Sequence, residues 1–222
     1  EGRQVGEVVD FAVDPHPQLP RIFKDRKSVA HMMDGLEGHA RKGDRHDSED
    51  IVSDSGDIVN KATETNDSSK PTILMKLVVA DVVHVDLFGD SLYQKVRRAR
   101  LSDASRKAYI GDGDAKIWSI YDMHFAADNW IPVLDFVHAI EHAFQAAQLS
   151  TLTVDLCWAR YLDFVTHIWQ GRVLTVIRRL DTIIQEFEQS ANPPSQDTLK
   201  TLASIRSYFT TNLGRMKYPF YR

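Results

Sequence analysis

The sequence predicts an α/β protein: parallel strands flanked by helices, then an all-helical C-terminal third. Three observations predict it. Between Lys107 and Phe136 two short apolar runs, Ala108–Ile110 and Ile131–Leu134, stand on either side of a segment whose apolar residues (Ile117, Ile120, Tyr121, His124) fall at helical spacing, which reads as a βαβ unit. Thr72–Val83 (TILMKLVVADVV) is a near-continuous, β-branched run suited to a central strand buried on both faces. Beyond Ser150, apolar residues recur only at steps of three and four.

In chain order, Val5–Val13 (VGEVVDFAV) reads as a strand so near the start that a partner strand is expected in front of it. The prolines of Asp14–Pro20 make a turn or extended connection, and a short amphipathic helix follows around Ser28–Leu36. Residues 37–71 are rich in Asp, Ser, Gly, Lys, Thr and Asn without apolar period, which predicts a polar, mobile insertion. His39, Asp44, His46 and Asp47 lie in it, but nothing apolar nearby would hold a coordination geometry, so they read as solvated loop. Leu87, Phe88, Leu92 and Val96 mark a helix carrying Lys95, Arg97, Arg98 and Arg100. Gly111-Asp112-Gly113-Asp114 closes the first βαβ strand in a sharp acidic turn, so Asp112 is presented at a strand end. Asp135 ends the second strand. Ligands and catalytic groups of parallel sheets gather at such carboxyl ends. Later helices follow from the stripe Trp158, Tyr161, Leu162, Val165, Trp169, a break at Gly171, the stripe Val173 to Phe187, and a last helix capped by Ser195.

Composition narrows the function classes. With 222 residues, 43% of them hydrophobic, the chain can bury a core as one domain or a domain with an insertion. The formal net charge of -4 excludes a global basic signature, so any nucleic-acid role rests on local patches. Residues 1–70 carry 10 Lys and Arg against 15 Asp and Glu, net -5, which leaves +1 for the remainder. The single cysteine, Cys157, excludes an internal disulfide and a multi-cysteine zinc site, and its apolar helical setting reads as a buried thiol in a reducing compartment. No stretch approaches the roughly 20 apolar residues of a membrane span, and no signal peptide opens the sequence. A cytoplasmic protein is expected.

Three constellations carry possible chemistry. Asp112 with Asp114 in a glycine turn is a place where carboxylates reach a hard cation such as Mg²⁺, although Asp-Gly is also ordinary turn chemistry. His138-Ala-Ile-Glu141-His142 fits the H-x-x-E-H pattern of inverted zinc peptidases, which needs a further ligand; only Glu186 and Glu188 follow, on either side of an apolar stripe position. Asp135-x-x-His138 reads either as electrostatic support for a neighbouring site or as a helix N-cap with a satisfied histidine. The cationic run Lys95 to Lys107 reads either as a solvated helical face or as a phosphate-contacting patch.

The ordered segments RKAYIGDGDAKIWSIYDMHF, PVLDFVHAIEHAF, WQGRVLTVIRRL and YFTTNLGRMKYPFYR, with VDPHPQLPRIFKDRKSV and LVVADVVHVDLFGDSL before them, resemble DDE-type transposases of bacterial insertion sequences. That resemblance implies an RNase H-like mixed sheet with flanking helices. Residues 1–149 would be a partial core holding the polar insertion at 37–71, and residues 150–222 a helical insertion region. It implies Asp112 as the second catalytic Asp and a ligand of Mg²⁺ or Mn²⁺, with Asp135 and His138 as the supporting Asp-x-x-His pair. The first Asp and the final Glu are expected outside this chain, so the 222 residues are expected to be inactive alone. The implied partners are DNA, both transposon ends and target, and further copies of the full-length protein as a homodimer or higher; no membrane is involved and the setting is the bacterial cytoplasm. Lys95, Arg97, Arg98, Arg215 and Lys217 would contact phosphates. A decayed or domesticated DNA-binding remnant and a zinc peptidase are the rival readings.

Overall fold

Strand β1 (Ala108–Gly111) pairs in parallel with β2 (Ile131–Leu134), Ala108 opposite Ile131 and Gly111 opposite Leu134, in a computed structural model that describes residues 14–33, 78–80 and 82–222. The predicted βαβ unit is therefore present. Residues 26–33 form helix α1, and α2 (Val85–Arg98) precedes the sheet. The crossover is α3 (Ala115–Ile120), extended by a π turn over Tyr121–Phe125 and a 3₁₀ turn over Ala126–Asp128, and ended by Asn129 in the left-handed region (φ 58°). Helices α4 (Phe136–Leu149), α5 (Val154–Trp169), α6 (Val173–Glu188), α7 (Gln196–Asn212) and the single turn α8 (Tyr218–Tyr221) complete it.

Local chemistry sets the helix ends. Asp114, Asp135, Thr153 and Ser195 each accept a backbone N–H of the first turn, which satisfies donors with no partner inside the helix. Gly171 stands between α5 and α6 at φ +70°, where a Cβ would lie 3.0 Å from Pro219 Cδ. Only glycine combines that backbone with that close approach.

The fold class needs correction. Among the described residues helix accounts for 68%, and the sheet has two strands rather than the mixed, many-stranded sheet of an RNase H-like core. The reason lies in what the helices bury. Helix α4 is apolar on two sides: Ala139, Ala143 and Ala146 join Phe164, Val176, Leu180, Leu202 and Phe209 in one cluster, while Ile140 and Ala147 join Leu19, Val29, Tyr161 and Val165 in another. Its small residues allow close approach, so helix packs on helix where a sheet was expected. The outer edge of β2 is also taken. Pro132 has no N–H to offer there, and the outward carbonyls of Pro132 and Leu134 accept the hydroxyls of Tyr221 (3.2 Å) and Tyr218 (3.0 Å). The tail covers the edge that another strand would need.

The expected strand at Val5–Val13 and the insertion at 37–71 lie outside the described residues, as do 72–77 and 81 of the expected central strand. The described end of that run, 78–80 with 82 and 83, has no regular structure, and Val78 and Val82 are exposed rather than buried on both faces. The helical residues after Ser150 share one core with the βαβ unit, since Leu134 and Trp118 sit in the same cluster as α6, α7, Met216 and Tyr218.

Candidate functional site

The parallel register puts the turn after β1 and the N-cap of α4 on one sheet edge, so Asp112 and Asp135 share it as the spacing predicts. Asp112 is exposed, and its Oδ1 accepts the Asp114 N–H at 2.9 Å, which folds the turn on itself. Asp114 is spent on capping α3 through the Lys116 N–H at 2.7 Å. Asp112 and Asp114 floor a groove of about 400 Å³ walled by Val83, Val85, Phe88, Ile117 and Ile120, with Lys116 at its rim. One side of Asp112 is thus open and partly apolar.

Asp135 satisfies both of its sequence readings at once. Oδ1 caps α4 through the Val137 N–H at 2.9 Å, and Oδ2 faces His138 Nδ1 at 3.2 Å, fixing the ring. One turn on, His142 packs its ring against Tyr208 with centroids 3.9 Å apart, and its buried Nδ1 has no hydrogen-bond partner. Burial, reinforced by the neighbouring His138, lowers the His142 pKa. The described residues bring no third ligand to His138 and His142: Glu186 lines the groove between α5 and α6, and Glu188 another near Pro193.

The residue the sequence did not single out is Tyr208. From α7 its hydroxyl donates to the Asp112 carbonyl at 2.8 Å, and its ring fills the space beside Gly113. Burial pushes its phenol pKa up, and Asp112, Asp135 and Glu141 push in the same direction, so it remains a protonated donor beside three carboxylates. An apolar stripe position is all that Tyr208 announces in sequence.

The expected phosphate contacts fall into two kinds. Lys95, Arg97 and Arg98 are exposed in the last turn of α2, where cations also complement the helix dipole, and Arg97 lies 5.9 Å from the Tyr93 ring centroid. Lys217 is exposed just before α8. Arg215 is engaged: its guanidinium stacks 4.2 Å above Trp118 and donates to Asn212 Oδ1. Lys107 likewise donates to the Ser102 carbonyl at 3.0 Å, and the terminal Arg222 pairs with Asp14 and stacks 4.0 Å from Trp169. That Arg222 contact holds the Asp14 carboxyl below the usual carboxylate range.

Among the described residues no three His, Cys, Asp or Glu side chains converge on a point that would hold a metal ion, so the divalent cation expected from the resemblance finds only part of a ligand set here. No described helix is long and apolar enough to cross a membrane. No family model, curated protein or solved structure matches the chain.

Proposed function

We propose that this chain is part of a bacterial DDE-type transposase and contributes Asp112 and the Asp135–His138 pair to its DNA-cutting edge. The observation that supports this is the parallel register of β1 and β2, which carries two strand-end carboxylates to one edge, as phosphoryl-transfer sites built on parallel strands require. In the reading, Asp112 is a ligand of Mg²⁺ or Mn²⁺, and the remaining acids come from outside the described residues. When bound, the cations supply charge stabilisation to the attacking and leaving oxygens of a phosphodiester. This chain's own residues do the positioning. The Asp112 Oδ1 bond to the Asp114 N–H orients the carboxylate, and Asp135, at the end of the neighbouring strand, holds the His138 ring. Lys95, Arg97, Arg98 and Lys217 are exposed cations available to the phosphates of transposon ends and target. Assembly as a homodimer or higher and a cytoplasmic setting belong to the same proposal.

The second reading is a DNA-binding remnant without catalysis, for which the exposed Lys95, Arg97, Arg98 and Lys217 would suffice. One experiment separates the two. Excision and strand transfer by the protein of the native reading frame, with Mg²⁺ or Mn²⁺, should be lost in Asp112→Ala; DNA binding without any metal-dependent cleavage would leave only the remnant.

A further inference from the structure

We infer that Tyr208 is a positioning residue that clamps the Asp112 turn from α7. The inference rests on the reading that Asp112 is the acid used. Three independent contacts meet in this one side chain. The hydroxyl donates to the Asp112 carbonyl at 2.8 Å, across 96 residues of sequence. The ring occupies the space beside Gly113 so closely that a Cβ there would lie 2.4 Å from Tyr208 Cε2, and Gly113 has φ +107°, so both the backbone and the neighbour demand glycine. The opposite contact is the His142 ring on α4, the helix that begins at Asp135. Tyr208 therefore touches both the Asp112 turn and α4, the helix that Asp135 caps. It packs in turn against the larger core cluster, its ring 5.6 Å from that of the buried Phe209.

The consequence is mechanical. The Asp112 carboxylate is oriented by its bond to the Asp114 N–H, and that bond lasts only while the turn keeps its shape. An exposed turn between a four-residue strand and a six-residue helix has little of its own to hold it. A helix anchored in the core by Leu202, Ile205 and Phe209 that grips the Asp112 carbonyl supplies the rigidity that a ligand side chain needs from its supporting shell.

Tyr208→Phe keeps the ring and removes only the grip. In the 222-residue chain, amide hydrogen exchange at Asp114 should quicken about five-fold, the worth of one ordinary hydrogen bond, and the urea midpoint should fall by no more than the same five-fold loss of stability implies. Unchanged exchange at Asp114 overturns the inference. In the protein of the native reading frame, Tyr208→Phe should lower kcat for DNA cleavage and raise the Mn²⁺ concentration giving half-maximal rate, with KM for DNA unaltered. A fall in kcat with no movement of the Mn²⁺ midpoint would make the residue merely structural and overturn it as well. Asp112→Ala is run beside it: full activity there refutes the role of Asp112 itself, whereas loss there with a silent Tyr208→Phe refutes only the clamp.

Discussion

Two Asp–His pairs sit on neighbouring helices of this protein, and they are built for different ends. On α4, Asp135 Oδ2 faces His138 Nδ1 at 3.2 Å; on α5, Asp163 Oδ1 faces His167 Nδ1 at 3.5 Å. The carboxylate side chains are comparably accessible, 38% and 33% exposed, so burial does not distinguish them. Charge compensation does. Asp163 is neutralised by Arg179 from α6, and its own backbone carbonyl takes His167 Nδ1 at 2.8 Å, which closes the α5–α6 contact. Among the described residues Asp135 pairs with no arginine or lysine, and its charge, with those of Asp112 and Glu141, adds to burial in raising the Tyr208 phenol. A compensated pair staples helices. An uncompensated one keeps negative potential at a surface, which is what a cation or a proton-transfer partner would use.

The largest test of that contrast is activity. Asp112→Ala in the native reading frame should reduce excision by at least about 100-fold, the usual cost of removing a preorganised electrostatic group. Asp163→Ala should stay within about three-fold of the parent. Comparable losses in both would erase the distinction between the acidic sheet edge and the α5–α6 staple.

Next comes DNA. Binding to duplex DNA should weaken steeply with salt, and reversing Arg97 and Arg98 to Glu should flatten the log–log slope by about two or more, at roughly 0.9 per phosphate contact. Arg215→Ala should leave the slope alone and lower the melting temperature instead, because its guanidinium is occupied by Trp118. An unchanged slope after charge reversal would return α2 to the solvated-surface reading.

Asp135 offers a smaller, sharper test. Asp135→Ala removes the α4 cap and should cost about 1 kcal/mol in urea unfolding. Asp135→Asn keeps an oxygen for the Val137 N–H and should recover most of that stability, yet not the activity lost with the charge. Full recovery of both would reduce Asp135 to a helix cap.

The smallest effect is in pH. Burial, more than the charge of His138, lowers the His142 pKa; burial, more than that of Arg172, lowers the His167 pKa. A histidine whose folded pKa lies below its unfolded value of about 6.5 contributes in full above that pH, and the contribution is lost as pH falls from there through the folded value. The urea midpoint should therefore decline between pH 7 and pH 5. His142→Phe and His167→Phe should each remove part of the decline, and a pH-independent midpoint in the parent would contradict both.

How much was legible depends on how local each feature is. Parallel pairing of Ala108–Ile110 with Ile131–Leu134, the cap roles of Asp135 and Ser195, the break at Gly171 and the amphipathic stripe of α6 are all written in neighbouring residues, whose spacing decides them. The shared edge of Asp112 and Asp135 follows from the same few positions. The sheet's extent did not follow, because pattern says which face is apolar and not which apolar faces will meet. Tyr218 and Tyr221 closing the outer edge of β2, from 84 and 89 residues away, are invisible until the chain is folded.

Local pattern alone yielded the βαβ unit, the positions of its two strand-end acids, the caps Asp135 and Ser195 and the break at Gly171, because caps, glycine turns and periodicity act over a few residues. What only the tertiary structure decided was that helices rather than strands complete the core, that Arg215 and Arg222 are spent on Trp118, Asp14 and Trp169, and that Tyr208 grips the Asp112 turn. Those outcomes join residues up to 208 positions apart, and no local spacing carries the free energy of a contact that exists only after the chain has closed on itself.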